Sequence, residues 1–220
     1  MTAQGIQLDR LQIKQDYRAL NFLVRGVTRP YANGIEIFEF TSNSQPTIFS
    51  RPIVDNSATA PHYLVKNGNS YKAYFLGKVE VFVFSQDLNR KAAYGIEILN
   101  EAGNKFFSTG DYPVKPVGMF YLPAIGPNGY VQWQVSNTDK VAYNLLNNRM
   151  SVAYGQSFKT ITYWRDVVKR VGSYFRVEHA VVYSGSAYGN DHYYQNTDNI
   201  GALGKSAPSA ICLIDISNIP

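Results

Sequence analysis

The sequence predicts a mainly β protein with an antiparallel, β-sandwich-like architecture, and three observations carry that expectation. Gly34-Ile-Glu-Ile37 returns as Gly95-Ile-Glu-Ile98, with isoleucines two apart, so a pleated strand would set both on one face and the glutamate on the other. Aromatic residues make up 14% of the chain, 17 of them tyrosine, beside 17 glycines and 10 prolines, a balance that suits short strands and many turns. Turn pairs that tolerate positive φ recur at Asn33-Gly34, Asn67-Gly68, Ala102-Gly103-Asn104 and Pro127-Asn128-Gly129.

Along the chain, residues 1–9 read as a polar N-terminal arm and residues 10–220 as a β-rich domain, long enough to close a core without staples. Alternation or β-rich content marks strands at 11–14, 19–27, 35–40, 72–75, 95–99, 105–108, 119–122, 130–135, 150–154, 176–183 and 211–216. The clearest strand is Lys78-Val-Glu-Val-Phe-Val-Phe-Ser85. Its Val79, Val81 and Val83 point one way, while Lys78, Glu80, Phe82 and Phe84 point the other, passing from solvent into aromatic packing.

One interruption is predicted. Trp164, Val167, Val168, Val171 and Phe175 follow i, i+3, i+4, i+7, i+11, with Asp166 early, Lys169 and Arg170 late and Gly172 near the close. That spacing predicts one short amphipathic helix over residues 163–171, its stripe packed on a sheet and its charges in water. Each Gly-Ile-Glu-Ile copy leads through a polar turn to an aromatic-Ser step, Phe49-Ser50 and Phe107-Ser108. Two readings account for the echo: related hairpin-containing halves at 17–85 and 86–155, followed by a helix-and-strand segment at 156–220, or two similar hairpins in one sandwich.

Charged residues reach only 17%, which suits a chain with much area against partners. The net charge of +5 is not gathered in sequence; its densest stretch, Arg165 to Arg170, coincides with the expected wet side of the helix, so no nucleic-acid partner is expected. Cys212, the single cysteine, is expected as a buried thiol in an apolar run. The residues from Met1 lack the basic start and apolar block of a signal peptide, and no apolar stretch is long enough to span a bilayer. The expectation is a soluble chain made in a reducing cytoplasm, without membrane insertion.

No cofactor or metal is expected. His62 follows Pro61 in a turn region, His179 falls on a sheet face, and neither has ligand spacing to another His or Cys. Asp191-His192 is a close acid-imidazole pair, and no serine or cysteine beside it forms a nucleophile motif. Gly201-Ala-Leu-Gly-Lys-Ser206 lacks the glycine a phosphate-binding loop needs at Asn199. Glu36, Glu80 and Glu97 read as single solvent-facing charges on strands, so no catalytic residue is assigned. One segment, 183–199, has a recognition composition: Tyr183, Tyr188, His192, Tyr193 and Tyr194 stand among Ser, Gly and Asn, giving flat contact area and adaptable hydrogen bonds.

The run Ala93-Tyr-Gly-Ile-Glu-Ile-Leu-Asn-Glu-Ala-Gly-Asn-Lys-Phe-Phe-Ser-Thr-Gly110 resembles minor tail proteins of long-tailed bacteriophages and prophages, in which a Tyr-Gly-hydrophobic strand, an Asn-x-x-Gly turn and a Phe-Ser strand form a recurring hairpin. The resemblance covers Tyr94 to Gly110 and, more loosely, Gly34 to Ser50. It implies a β-rich, non-enzymatic virion component of the distal tail, at the tail tip or fibre-attachment region, synthesised in a host bacterial cytoplasm. Its partners would be other tail subunits in a homo- or hetero-oligomeric assembly. The alternative expectation is a receptor- or carbohydrate-binding module of a phage tail, with the tyrosines of 183–199 as a stacking platform for a host glycan or receptor.

Overall fold

The computed structural model describes residues 20–86, 97–99, 105–108, 110–123, 125, 129–146, 149–154, 160–186 and 209–220. Sixteen strands in four antiparallel sheets account for most of them. The strands are β1 (Asn21–Val27), β2 (Arg29–Ala32), β3 (Ile35–Thr41), β4 (Thr47–Pro52), β5 (Ala60–Asn67), β6 (Ser70–Leu76), β7 (Val79–Ser85), β8 (Glu97–Leu99), β9 (Lys105–Ser108), β10 (Pro116–Leu122), β11 (Tyr130–Gln134), β12 (Val141–Leu145), β13 (Met150–Tyr154), β14 (Thr160–Val171), β15 (Tyr174–Ser186) and β16 (Ser209–Asp215). A six-stranded sheet, β1-β7-β4-β12-β16-β10, is the central layer. Two four-stranded sheets, β2-β3-β6-β5 and β11-β15-β14-β13, lie side by side on its inner face.

The alternation expected in β7 is what assembles the layers. Val79, Val81 and Val83 join Phe40, Tyr71, Ala73 and Phe75 under the β3-β6 sheet. Phe82 and Phe84 turn to the outer face with Phe22 and Phe49, capped by Ile216 and Ile219. Each fully buried side chain of this size contributes roughly 1.5–3 kcal/mol. On the other half of the inner face, Tyr143, Leu145, Ile211 and Leu213 meet Val168, Phe175 and Val177.

Sequence order and layering coincide. Strands β1–β7 supply one half of the central sheet and the whole sheet above it; β10–β16 supply the other half and the second covering sheet. Between the central-sheet strands of the two halves the described ladder pairing is one rung, Ser50 opposite Tyr143, and isolated bridges join Thr59 to Val168 and Asn21 to Pro113.

The turn chemistry was legible. Asn33 (φ 50) and Gly34 (φ 76) close the β2-β3 hairpin, and Gly68 (φ 59) sits between β5 and β6, where only residues tolerant of positive φ fit without strain. The turns expected near 102–104 and at 127–128 fall outside the described residues.

The expected helix over 163–171 is corrected: these residues belong to β14, whose 12 residues pair with β15 along the full length. Gly172 (φ 58) and Ser173 join Val171 to Tyr174 as a two-residue hairpin turn. The helical spacing was coincidental, because β14 is buried on both faces and therefore shows no clean alternation. Among the described residues the one helical turn is 3-10, Thr138–Lys140, capped by the Asn137 side chain accepting from the Asp139 amide.

The two Gly-Ile-Glu-Ile copies also part company. In the second, β8 and β9 pair as a hairpin, with Ile98 opposite Phe107. In the first, β3 pairs with β6 while β4, carrying Phe49-Ser50, pairs with β7 in a different sheet.

Candidate functional site

A cleft of about 580 Å³ opens where the central sheet splits. Past the Ser50–Tyr143 rung β4 and β12 diverge, and the Asn144 amide reaches across to donate to the Ile48 carbonyl at 2.6 Å. Residues 61–65 of β5, 73–75 of β6, 143–145 of β12 with Leu146 just after it, and Arg165 of β14 complete the lining. Three sheets therefore contribute to one cavity.

A bulge in β5 builds its polar end. Pro61 lies opposite Phe75 and Tyr63 opposite Tyr74, leaving His62 as the extra residue of the bulge. Proline has no N–H to give, so an irregularity there is inexpensive. The displaced His62 meets Arg165: guanidinium Nη1 lies 2.6 Å from His62 Nδ1, and Nη2 donates to the His62 carbonyl at 3.1 Å. Arginine only donates, so Nδ1 accepts and the neutral ring carries its proton on Nε2. Burial, followed by the Arg165 charge, pushes the His62 pKa down to about 4.

Behind this pair, Thr59 Oγ1 donates to the Val168 carbonyl at 2.9 Å and receives the Tyr143 hydroxyl at 3.0 Å. Burial raises the Tyr143 pKa against the opposing pull of Ser50, Thr59 and Arg165. On the other flank stands a run of rings: His62 to Tyr63 at 4.8 Å, Tyr63 stacked on Tyr74 at 4.1 Å, and Tyr31 edge-on to Tyr74 at 5.3 Å. The Tyr63 phenol is pushed up to about 12, chiefly by burial and then by its tyrosine neighbours.

A second constellation lies in the core. Asp166 Oδ2 is 2.6 Å from Arg149 Nε and Asp166 Oδ1 is 3.0 Å from His179 Nδ1, with Arg149 Nη1 donating to the Pro123 carbonyl at 2.6 Å. Trp164 stacks over the His179 ring. The three ionisable side chains are at most 1% exposed, which shuts substrates out and gives the network a structural role. Sequence reasoning missed it because Asp166 and His179 meet only through the β14-β15 register.

The charges of 165–170 are likewise not a wet helix face. Arg165 faces the cleft and Asp166 the core, Lys169 pairs with Glu178 at 2.5 Å, and Arg170 bonds Asp55 and Asp139. Glu80 is corrected too: it is buried between Arg51 (2.5 Å) and Arg25 (3.4 Å). Glu36 is half-buried, His62 stands within a strand, and Cys212 is a half-buried free thiol. Of the recognition residues, Tyr183 pairs across the hairpin with Tyr163, ring centroids 6.0 Å apart. Tyr188, His192, Tyr193 and Tyr194 lie outside the described residues, as do Asp191 and the 201–206 run. Among the described residues no group of three His, Cys, Asp or Glu side chains could hold a metal ion, and no helix is long and apolar enough to cross a membrane.

Among the described residues the most exposed apolar surface is on β10, an edge of the central sheet. Val117, Met119 and Tyr121, alternate residues, are 51, 66 and 68% exposed. Met119 lies opposite Cys212 and Tyr121 opposite Ala210, so the outward row continues onto β16. No family model, curated protein or solved structure matches the chain.

Proposed function

We propose that the protein is a non-enzymatic structural component of a phage virion, docked to other tail subunits in the tail tip or fibre-attachment region. The observation that carries the docking part is β10, an edge strand among the described residues. A free edge strand presents unpaired backbone groups, and sheets that stay apart blunt such edges with charge. Residues 116–122 hold no charged side chain and set three large apolar groups outward. The tail assignment rests on the resemblance of residues 93–110 to minor tail proteins. Gold labelling of a tagged copy in virions tests it: label at the distal tail is expected, and virions without tail label overturn it. Met119→Lys with Tyr121→Lys should leave the fold intact and lower incorporation into particles.

A second reading, a carbohydrate-binding module, is favoured by Tyr31, which is 60% exposed at the end of the tyrosine run and offers a ring face to a sugar. A glycan array separates the two: a hit lost on Tyr31→Ala, with particle assembly intact, selects it over scaffolding.

A further inference from the structure

We propose that β10 pairs with β10 of a second copy of this chain, antiparallel about a two-fold axis beside Phe120, so that two central sheets become one. This pairing rests on the reading of β10 as a docking edge and names the partner that fills it.

The hydrogen-bond phase of the sheet fixes which backbone groups face the edge. In an antiparallel ladder, residues that exchange bonds across a pair alternate with residues that turn away from it. The Leu146 amide donates to the Ala210 carbonyl and the Ile216 amide to the Lys140 carbonyl, both at 2.9 Å, so the even-numbered residues of β16 bond to β12. The odd-numbered ones turn to β10, as the Asp215 amide does in donating to the Lys115 carbonyl at 2.8 Å. Their partners Gly118, Phe120 and Leu122 are thereby engaged, and Met119 and Tyr121 direct N–H and C=O away from β16. Among the described residues no strand lies on that side. The same two residues carry the 66 and 68% exposed side chains.

A two-fold axis sets the strand against itself, so the patch must be self-complementary. About Phe120, Met119 lies opposite Tyr121 of the second copy and Tyr121 opposite its Met119. Both edge-facing residues then meet edge-facing partners, and on the outer face each thioether rests against a tyrosine ring, a favourable contact. No like charges are opposed, because Pro116–Leu122 holds none. Both ends of the ladder close at the same pair: a register shift leaves Val117 as an extra residue, and it falls opposite Pro123 of the second copy, which has no N–H to give. So short a ladder covers less than the roughly 800 Å² per partner of a standard interface, which makes the dimer weak and concentration-dependent.

Sedimentation velocity of the full chain from about 10 µM to about 1 mM tests the pairing, with amide exchange followed by NMR at both limits. The sedimentation coefficient should rise from monomer to dimer, and the Met119 and Tyr121 amides should exchange severalfold more slowly at the upper limit. The Phe120 amide, already bonded to β16, should change little. A monomer throughout, or a dimer in which the Met119 and Tyr121 amides gain no protection, overturns the proposal. Two double variants at these exposed positions test the register, and both should keep the wild-type melting temperature in dilute solution. Met119→Lys with Tyr121→Lys sets like charges opposite each other and should weaken the dimer at least tenfold. Met119→Lys with Tyr121→Glu sets opposite charges together at both pairs and should recover at least fivefold of that loss; equal weakening by the two overturns the proposal. The docking reading can fail separately: a monomeric chain whose first double variant still enters virions poorly excludes the second copy and leaves the edge to another tail subunit.

Discussion

Arg149 and Asp166 meet at 2.6 Å inside the second half of the molecule, a cation and an anion with almost no exposed surface between them. Removing one partner of a buried pair strands the other's charge, at a cost of about 3–5 kcal/mol. Arg149→Met and Asp166→Leu should each destabilise by that order in urea unfolding. The double variant should recover much of the loss, because no charge then remains unpaired. Single variants with wild-type midpoints would show that water reaches the pair.

His62 makes stability pH-dependent in a defined direction. Its folded pKa, about 4, lies below the ordinary value of 6.5, so between these limits the unfolded chain binds the proton more readily. The contribution is complete above pH 6.5 and is lost as pH falls towards 4, at up to about 1.4 kcal/mol per pH unit for one proton. Urea midpoints measured from pH 7.5 to 4 should show this decline. His62→Gln should flatten it in the upper part of the window, where carboxylates contribute little.

Two glycines with similar φ should respond to very different degrees. Gly77 (φ +71) would drive a Cβ into the Ala58 carbonyl oxygen, whereas Gly172 (φ +58) has open space around it. Gly77→Ala should cost more than the roughly 1–2 kcal/mol of the left-handed conformation alone. Gly172→Asn should cost less than about 1 kcal/mol, since asparagine tolerates that region. Thermal melts of the two variants provide the comparison.

Burial also pushes the Cys212 thiol up from its ordinary pKa. Only the thiolate reacts readily, so iodoacetamide at pH 8 should alkylate the native protein several-fold more slowly than the urea-unfolded chain. The native rate should still climb above pH 9. Mass spectrometry of timed samples reads both.

What the sequence disclosed depended on how local the physics was. β7 was legible because its two faces enter different cores, valines one way and phenylalanines the other. β14 was misread because burial on both faces erased its period; the Gly172-Ser173 pair between two β-branched runs was the signal that marked a hairpin. β4, β5 and β12 carried little alternation and were not anticipated. The cleft was less accessible still: His62 and Arg165 stand 103 positions apart, and Thr59 and Tyr143 stand 84 apart. No spacing rule connects residues that meet only because a bulge displaces one strand and two halves close against each other.

The sparse backbone pairing between the halves, Ser50 with Tyr143, Thr59 with Val168 and Asn21 with Pro113, bears on the order in which the molecule can be made. Strands β1–β7 close two layers among themselves, so that half can collapse while the ribosome is still delivering β10–β16. Its outer phenylalanines, Phe22, Phe49, Phe82 and Phe84, must then wait for Ile214, Ile216 and Ile219. The Arg25 bond to the Ile219 carbonyl spans 194 positions of sequence. During that interval the nascent chain carries a sticky aromatic face, the natural point for a chaperone to hold and for a stalled or truncated product to aggregate.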